Sequence, residues 1–243
     1  MALKLYGTVA SDTTQRVQAC LYEKEVHFEF ITVNTAAGEH KTPRFLARNP
    51  FGELPALEDG DVTLFGNFVY IYITNEIQET KRVYFVSDSS SGSVSLFVTE
   101  SRAITQYIAN KYDGKGTDLI MKDPIKLAIQ TVWMDTENQR FDQPFSKLIE
   151  AAIEGNEGGN KDVREYQRKL ESVLDVYEQR LKESKYLGGD SFTLADLHHL
   201  PGMHYLRSTK AKGWFQGRPH VRAWAADILS RPAWVKVAAM SPW

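Results

Sequence analysis

The sequence predicts an α/β domain followed by an all-helical domain, and three observations support this division. Residues 1–65 alternate strand-like and helix-like patterns in the order βαβ and then ββ. A segment rich in Ile, Val, Tyr, Phe, Asn and Ser, residues 66–99, then interrupts the pattern. The later part of the chain keeps the i, i+3, i+4, i+7 apolar spacing of helices. We therefore expect an α/β domain at residues 1–112, a linker at 113–121 and a helical domain at 122–243.

The α/β domain opens with a strand, a helix and a second strand. The alternating segment that begins at Leu3 and closes at Gly7 predicts a short strand. The polar residues from Ser11 to Thr14 precede an apolar helical pattern, so their hydroxyl groups lie where free backbone N–H groups need caps. Residues 27–33 alternate again and predict a second strand. A helix that joins two strands implies a parallel pair with a right-handed crossover.

Two further strands and a helix complete this domain. Residues 54–65 predict two strands joined by a tight turn at Asp59-Gly60. Residues 100–109 have helical spacing, with Ala103, Ile104 and Tyr107 on one side. The order βαβ followed by ββ is therefore expected before the chain becomes helical.

The helical domain contains one long amphipathic helix and a clear helix start. Apolar residues keep helical spacing from Val163 to Leu181, and Gly188-Gly189 ends that run. Thr193 followed three residues later by Asp196 predicts a capping box at the next helix.

Composition excludes several classes of function. The chain has 243 residues and a net charge of −2 without a long Lys or Arg run, so nucleic acids and anionic membranes are not expected partners. Cys20 is the single cysteine, which rules out an intrachain disulfide. The first residues do not form a signal peptide, and the apolar runs are too short to span a membrane. We expect a protein of the reducing cytosol.

Four motifs occur in an order and at intervals that resemble the phi-class glutathione S-transferases of plants. They are KLYG…AS-x-x-T-x-RV, GEHKTPRFLARNPFGELPALEDGD, ESRAITQYIANKY and YLGGDSFTLADLHHLP. The resemblance covers nearly the whole chain apart from residues 66–99. It implies a thioredoxin-like N-terminal domain, a helical C-terminal domain and a homodimer.

The resemblance also implies an activity. The family conjugates reduced glutathione to hydrophobic electrophiles in detoxification and stress response, and hydroperoxide reduction is an expected side activity. Glutathione is then a co-substrate, and no cofactor or metal is expected.

Ser11 matches the family's catalytic serine, which holds the glutathione sulfur as a thiolate. A thiol with a pKa of about 8.5 is mostly protonated at neutral pH, and the thiolate is the nucleophile. A hydrogen bond from Ser11 and the positive end of the helix dipole both favour the anion. Lowering the pKa by about two units requires about 2.7 kcal/mol. The local sequence by itself favours an ordinary helix cap, and the family resemblance favours the catalytic role.

The remaining glutathione contacts follow from the same resemblance. His40 and Lys41 match the site for the glycine carboxylate, where two adjacent donors suit an anion. Leu54, in Leu54-Pro55, matches a cis-proline turn whose backbone pairs with the tripeptide as an added strand would. Glu53 departs from the family, which commonly has Gln there. An ionised glutamate cannot donate a hydrogen bond, so we expect weaker glutathione binding.

Glu100 and Ser101 match the family's contacts for the γ-glutamyl end of glutathione. Ser101 and the N–H groups at a helix start can bind the carboxylate, and Glu100 can pair with the ammonium group. Outside the resemblance, the same two residues would be an ordinary capped helix start.

Several other residues are weaker candidates. His198, His199 and His204 lack the Cys or carboxylate spacing of a metal site, so packed or hydrogen-bonded helix positions are expected. Cys20 falls in a helix pattern and is expected in the core. Three aromatic side chains could face an electrophile: Trp133, Phe141 and Phe145. Aromatic residues at helical spacing are nevertheless more often part of the core.

Residues 66–99 have two competing explanations. The first is a β-hairpin in which residues 68–74 pair with residues 82–87. The second is a translated retained intron. Gly66-Asn67 can be encoded by GGT AAT, which contains a GTAA donor, and the codons of Thr99 and Glu100 can supply an acceptor CAG. Joining the two edges in frame would restore the family's Leu-Phe-Glu-Ser-Arg sequence.

The sequence leaves alternatives to a fully active transferase. If the insertion disrupts the glutathione site, the protein would be a carrier of apolar ligands or a weakly active isoform. Glutathione-dependent disulfide exchange is disfavoured, because it normally needs a cysteine where Ser11 stands.

Overall fold

The structure is a computed structural model of the chain. It describes residues 3–60, 62–64, 85–88, 94–97, 100–153, 161–208 and 215–241. The chain divides into two compact units, Met1–Tyr112 and Asp113–Ser241, and each is described separately.

The first unit combines strands with three helices. Its described strands are β1 (Leu3–Gly7), β2 (Phe28–Thr32), β3 (Ala56–Asp59), β4 (Val62–Leu64), β5 (Phe85–Asp88) and β6 (Val94–Phe97). Its described helices are α1 (Asp12–Glu23), α2 (Pro43–Leu46) and α3 (Glu100–Lys111), and a 3-10 turn covers Glu39–Lys41.

The first four strands form one sheet in the order β2-β1-β3-β4. Strands β1 and β2 are parallel, with Leu5 opposite Phe30. Strand β3 runs antiparallel to β1, with Leu57 opposite Leu5, and β4 runs antiparallel to β3. The predicted order βαβ then ββ is confirmed.

Helices α1 and α3 pack against each other and share the core of this unit. Val17, Leu21, Ile104 and Ile108 are fully or almost fully buried. Burying an aliphatic side chain of this size contributes about 1.5–3 kcal/mol, so this pairing fixes the position of α1 on the sheet. Cys20 also lies buried in α1, as predicted.

A second small cluster anchors the segment between β2 and β3. Phe45 of α2 is buried with Tyr6, Val33 and Ala56. Thr42 caps α2 by accepting a hydrogen bond from the N–H of Phe45, 3.4 Å away. The loop before α2 is therefore held against the sheet at a fixed point.

Part of the inserted segment is described. Strands β5 and β6 pair antiparallel, with Phe85 opposite Phe97, and this pairing is not among the predicted elements. In the predicted hairpin, residues 68–74 and the turn after them lie outside the described residues, as do the proposed splice edges at Gly66 and Thr99.

The second unit is built from helices, with turns and one isolated β-bridge, Tyr186 with Gly189, among its described residues. Its helices are α4 (Pro124–Thr136), α5 (Asp142–Ile153), α6 (Lys161–Glu183), α7 (Leu194–Leu197), α8 (Leu200–Ser208), α9 (Pro219–Leu229) and α10 (Pro232–Ala238). A π-helical turn, Glu137–Phe141, joins α4 to α5. The long helix α6 packs against α5 and α9 and buries Leu170, Leu174 and Tyr177.

The predicted capping box is confirmed at the start of α7. The hydroxyl of Thr193 accepts from the backbone, and the Asp196 carboxylate accepts from the Thr193 N–H at 3.1 Å. Asp196 also accepts from the N–H of Leu187 and from the indole N–H of Trp224, each at 2.9 Å. Burial raises the pKa of Asp196 to about 6, although these donors oppose the shift.

The three histidines occupy packed positions, as predicted. His198 and His199 are buried, and the ring of His204 packs edge-on against Trp234. Nδ1 of His199 lies 2.8 Å from the carbonyl of Ala195, which can only accept, so Nδ1 carries the proton. Nε2 of His199 then accepts from the Tyr177 hydroxyl at 2.8 Å.

Phe141 and Phe145 stack on each other and are buried in the core of this unit. Trp133 is partly exposed and packs edge-on against Tyr177. The core interpretation therefore holds for both phenylalanines.

Across the described ranges, no three or more His, Cys, Asp or Glu side chains are grouped so as to hold a metal ion. A helix both long enough and apolar enough to cross a membrane is also missing from the part of the chain that the structure describes.

Candidate active site

The start of α1 places Ser11 at the centre of the candidate site. Ser11 is the N-cap of α1, with an extended backbone (φ −92°, ψ 122°), and its Oγ accepts from the Thr14 N–H at 3.3 Å. The preceding loop is held by hydrogen bonds from the Ser11 N–H to Thr8 and from the Gln15 side chain to Val9. The cap geometry is thus observed, and the same geometry presents the hydroxyl at the positive end of a helix.

A cleft of about 540 Å³ lies beside this helix start. It is lined by Thr8, Ala10, Ser11, Thr35, His40, Lys41, Gly52, Glu53 and Leu54. The predicted residues Ser11, His40, Lys41, Glu53 and Leu54 are therefore brought together from three separate segments of the chain.

His40 and Lys41 reach the cleft from the 3-10 turn. Nδ1 of His40 is buried without a hydrogen-bond partner among the described residues. Nζ of Lys41 donates to the carbonyl of Phe51 at 2.8 Å. An ammonium group has three N–H donors, so two remain for an anion. The buried Nδ1 of His40 is not open to the cleft, so the Lys41 ammonium group is the donor best placed for a carboxylate there.

Gly52 allows the two sides of the cleft to approach each other. Its φ of +60° lies in the left-handed region, and a Cβ there would lie 2.5 Å from the His40 carbonyl oxygen. Only glycine fits this position, because a side chain would meet the backbone that carries His40.

Asn49 organises the loop that leads to Leu54, a role that the sequence did not predict. The side chain is buried, its amide donates to the carbonyl of Glu53 at 2.7 Å, and its oxygen accepts from the Phe51 N–H at 3.0 Å. The turn sequence Asn49-Pro was the available signal, since Asn side chains often close such turns. The Leu54–Pro55 peptide bond is cis, as predicted.

Ser101 is not among the described residues that line the cleft. It is 2% exposed, and its Oγ accepts from Nη1 of Arg16 at 2.6 Å. Arg16 is itself buried in α1. The side chain of Glu100 lies outside the described residues. The roles expected for Glu100 and Ser101 therefore stay predictions.

Comparison with known proteins identifies the family. Residues 1–73 match the glutathione S-transferase N-terminal domain, and residues 127–232 match the glutathione S-transferase C-terminal domain. A glutathione S-transferase of Hyoscyamus muticus is 49% identical over 240 residues, which cover 97% of each chain. Glutathione S-transferase F13 of Arabidopsis thaliana is 41% identical over 243 residues, which cover 98% of this chain and 95% of that protein.

Solved structures agree with this result. Glutathione transferase F7 from Populus trichocarpa is 41% identical, covers all of both chains and superimposes with a TM-score of 0.80. Glutathione S-transferase I from mais (maize), in complex with an atrazine glutathione conjugate, is 31% identical with a TM-score of 0.74, covering 99% of this chain and 98% of that one. The chain therefore belongs to the glutathione S-transferase family, in its plant phi (F-type) class, and is a glutathione transferase that uses glutathione as its co-substrate.

Proposed function

We propose that this transferase conjugates reduced glutathione to hydrophobic electrophiles in the cytosol, in detoxification and stress response, with hydroperoxide reduction as a side activity. The observation that carries the proposal is the position of the Ser11 hydroxyl. It lies at the N-terminus of α1 on the same cleft as His40, Lys41 and Leu54.

In this mechanism Ser11 donates a hydrogen bond to the glutathione sulfur. The proton of the thiol leaves to solvent, and the anion is stabilised by the hydroxyl and by the dipole of α1. A pKa lowered by about two units from about 8.5 makes the sulfur mostly anionic at neutral pH. The thiolate then attacks the electrophilic carbon, and the leaving group or the adjacent π-bond takes up the electron pair.

The rest of the tripeptide is held by groups that match its charges. The glycine carboxylate pairs with the remaining donors of Lys41 and with the imidazole of His40, which lines the same cleft. The backbone of Leu54 pairs with the cysteinyl residue, as a neighbouring strand would. We place the γ-glutamyl end at Glu100 and Ser101, at the start of α3.

Glu53 sets this chain apart from the family pattern within the cleft. Its side chain is exposed and lines the cleft, where an ionised carboxylate repels an anionic ligand. We infer that Glu53→Gln tightens glutathione binding, because an amide removes the charge and supplies a donor.

We further propose that the protein is a homodimer. One face of α4 exposes apolar side chains at i, i+4 and i+7, with Ile125 at 74%, Ile129 at 39% and Val132 at 59% exposure. A contiguous apolar stripe on a helix favours burial against a protein partner, and a second copy of this chain is the partner that the family suggests. Sedimentation of a Val132→Glu variant as a monomer, beside a dimeric parent chain, would support this proposal.

A carrier of apolar ligands is the alternative function. Residues 66–99 immediately precede Glu100, and Ser101 does not line the cleft, so loss of the γ-glutamyl contact would weaken the glutathione site. The decisive experiment combines a glutathione-affinity column with a conjugation assay on a general aromatic electrophile. Retention together with turnover supports the transferase mechanism proposed for Ser11, and passage through the column without turnover supports the carrier.

A further inference from the structure

Two hydroxyl groups and one carbonyl form a short hydrogen-bonded chain in the cleft. Oγ of Ser11 lies 2.7 Å from Oγ1 of Thr13. The hydroxyl of Thr13 donates to the backbone carbonyl of Leu54 at 3.1 Å. The chain therefore connects the sulfur-binding residue of α1 to the loop residue that is expected to pair with the tripeptide.

Donor counting fixes the direction of these bonds. A carbonyl oxygen can only accept, and the Thr13 hydroxyl has one proton, which it gives to Leu54. The Ser11–Thr13 bond then requires Ser11 to be its donor. In this arrangement the single Ser11 proton points at Thr13 and not at a ligand.

Rotation of the two hydroxyl groups reverses the chain without moving a heavy atom. If the Thr13 proton turns to Ser11, Oγ of Ser11 becomes an acceptor from Thr13 and its own proton is released to bind sulfur. The Leu54 carbonyl loses its partner at the same moment. That carbonyl can then accept from an N–H of the bound tripeptide, so neither polar group is left without a hydrogen bond.

We propose that Thr13 is a positioning residue that directs the Ser11 proton to the glutathione sulfur when the tripeptide occupies the Leu54 carbonyl. This inference rests on the function proposed above, in which Ser11 binds the thiolate. A hydroxyl that accepts a hydrogen bond becomes a stronger donor, by about 10–30% per bond. Thr13 therefore lowers the pKa of the bound thiol through Ser11, without contact with the sulfur.

The competing explanation is that Thr13 only fastens α1 to the loop through its bond to Leu54. That explanation accounts for the 3.1 Å bond and predicts an effect on stability or on glutathione affinity alone. It predicts no change in the ionisation of a bound thiol. The ionisation is therefore the measurement that separates the two explanations.

Charged groups around the pair are shared by all variants of Thr13. Asp12 accepts from the Thr13 N–H at 2.7 Å, and His40, Lys41 and Glu53 line the same cleft. Because these groups are the same in each protein, a difference in thiol pKa between variants reports on the hydroxyl at position 13.

The test uses the full chain and its Thr13→Val and Thr13→Ser variants. Valine keeps the branched shape and removes the hydroxyl, and serine restores the hydroxyl without the methyl group. The ultraviolet absorbance of the thiolate is titrated against pH with saturating glutathione, and thermal unfolding checks that each variant is folded. We expect Thr13→Val to raise the pKa of the bound thiol by about half a unit, a threefold change in its dissociation constant. Thr13→Ser should return it close to the parent value.

Each other outcome has a defined meaning. An unchanged thiol pKa in Thr13→Val, or a lowered one, overturns the positioning role of Thr13. A lowered value would show that Thr13 competes with sulfur for the Ser11 proton. A parent protein that binds glutathione but forms no thiolate near neutral pH overturns the proposed function itself. The two failures are therefore distinguishable in the same titration.

Discussion

Two helix starts in this protein use a hydroxyl N-cap in opposite ways. Both cap bonds are 3.3 Å long, but Ser11 of α1 is only partly buried and lines an open cleft. Thr193 of α7 is buried, and Asp196 completes a reciprocal capping box around it. The comparison shows that one local motif can be closed by its neighbours to stabilise a fold or left open to bind a ligand.

Removing the capping box at the start of α7 should have the largest effect, and that effect is on stability. Asp196→Ala leaves the N–H groups of Leu187, Thr193 and Trp224 without their buried acceptor. Since an unsatisfied buried donor costs about 1–3 kcal/mol, we expect the free energy of unfolding to fall by about 3–5 kcal/mol. Urea denaturation measures it, and Asp190→Ala, at an exposed carboxylate nearby, is the matched control. Equal losses in both variants would contradict the closed-cap interpretation.

Removing the open cap should affect chemistry more than stability. Ser11→Ala deletes the donor to sulfur, and a thiol pKa that returns from about 6.5 to about 8.5 would reduce the thiolate population at pH 7 by up to about 25-fold. The free energy of unfolding should fall by only about 1 kcal/mol, which is typical of a lost N-cap. Conjugation rates at neutral pH are the measurement, and Ser11→Thr, which keeps a hydroxyl, is the control. Unchanged turnover in Ser11→Ala would show that α1 has an ordinary cap.

The closed cap should also be visible as a pH dependence of stability. Burial raises the pKa of Asp196 to about 6, above an unfolded value of about 3.9, so the folded state binds more protons between these values. The contribution of this group therefore increases as the pH falls and is lost as the pH rises through about 6. We expect this group's contribution to the free energy of unfolding to be about 2 kcal/mol larger at pH 4.5 than at pH 7. The difference in stability between the parent protein and Asp196→Asn, followed against pH, measures it. A difference of the opposite sign would mean that the hydrogen bonds outweigh burial.

The inserted segment, residues 66–99, should weaken glutathione binding more than it weakens the fold. Lengthening this connection from about 4 to about 38 residues costs only about 2 kcal/mol in loop closure, so the fold can tolerate it. The contacts expected at Glu100 and Ser101 are less tolerant, because they begin directly after the segment. We expect a chain without residues 66–99 to bind glutathione about fivefold more tightly, as one recovered hydrogen bond of about 1 kcal/mol would give. Calorimetry measures glutathione affinity in both chains. Equal affinities with and without residues 66–99 would show that the segment does not disturb the site.

Local signals in the sequence predicted the elements that depend on local physics. The strand–helix–strand order, the cap at Ser11 and the capping box at Thr193 each require only neighbouring residues. Contacts between distant segments were not predictable in the same way. The bond from Arg16 to Ser101 joins residues 85 positions apart, and the bond from Thr13 to Leu54 joins residues 41 positions apart. Such pairs depend on how α1, α3 and the loop before β3 pack, which no short motif encodes.

The same distinction holds inside the candidate site. Five residues named by the family motifs line the cleft, but the motifs did not indicate that Ser101 bonds to Arg16 or that Asn49 holds the loop. The π-helical turn Glu137–Phe141 also has no clear sequence signal, because its apolar spacing continues the helices on either side.

The close approach at Gly52 makes this position a mutational weak point without any contact of its own to a substrate. Any added side chain would press on the His40 carbonyl and on the Lys41 stem, and so would displace both groups proposed to hold the glycine carboxylate. In a survey of all single substitutions, Gly52 should therefore rank with the ligand-binding positions in lost activity while the rest of the protein keeps its shape. A residue with no functional group would then appear as essential as one that carries charge.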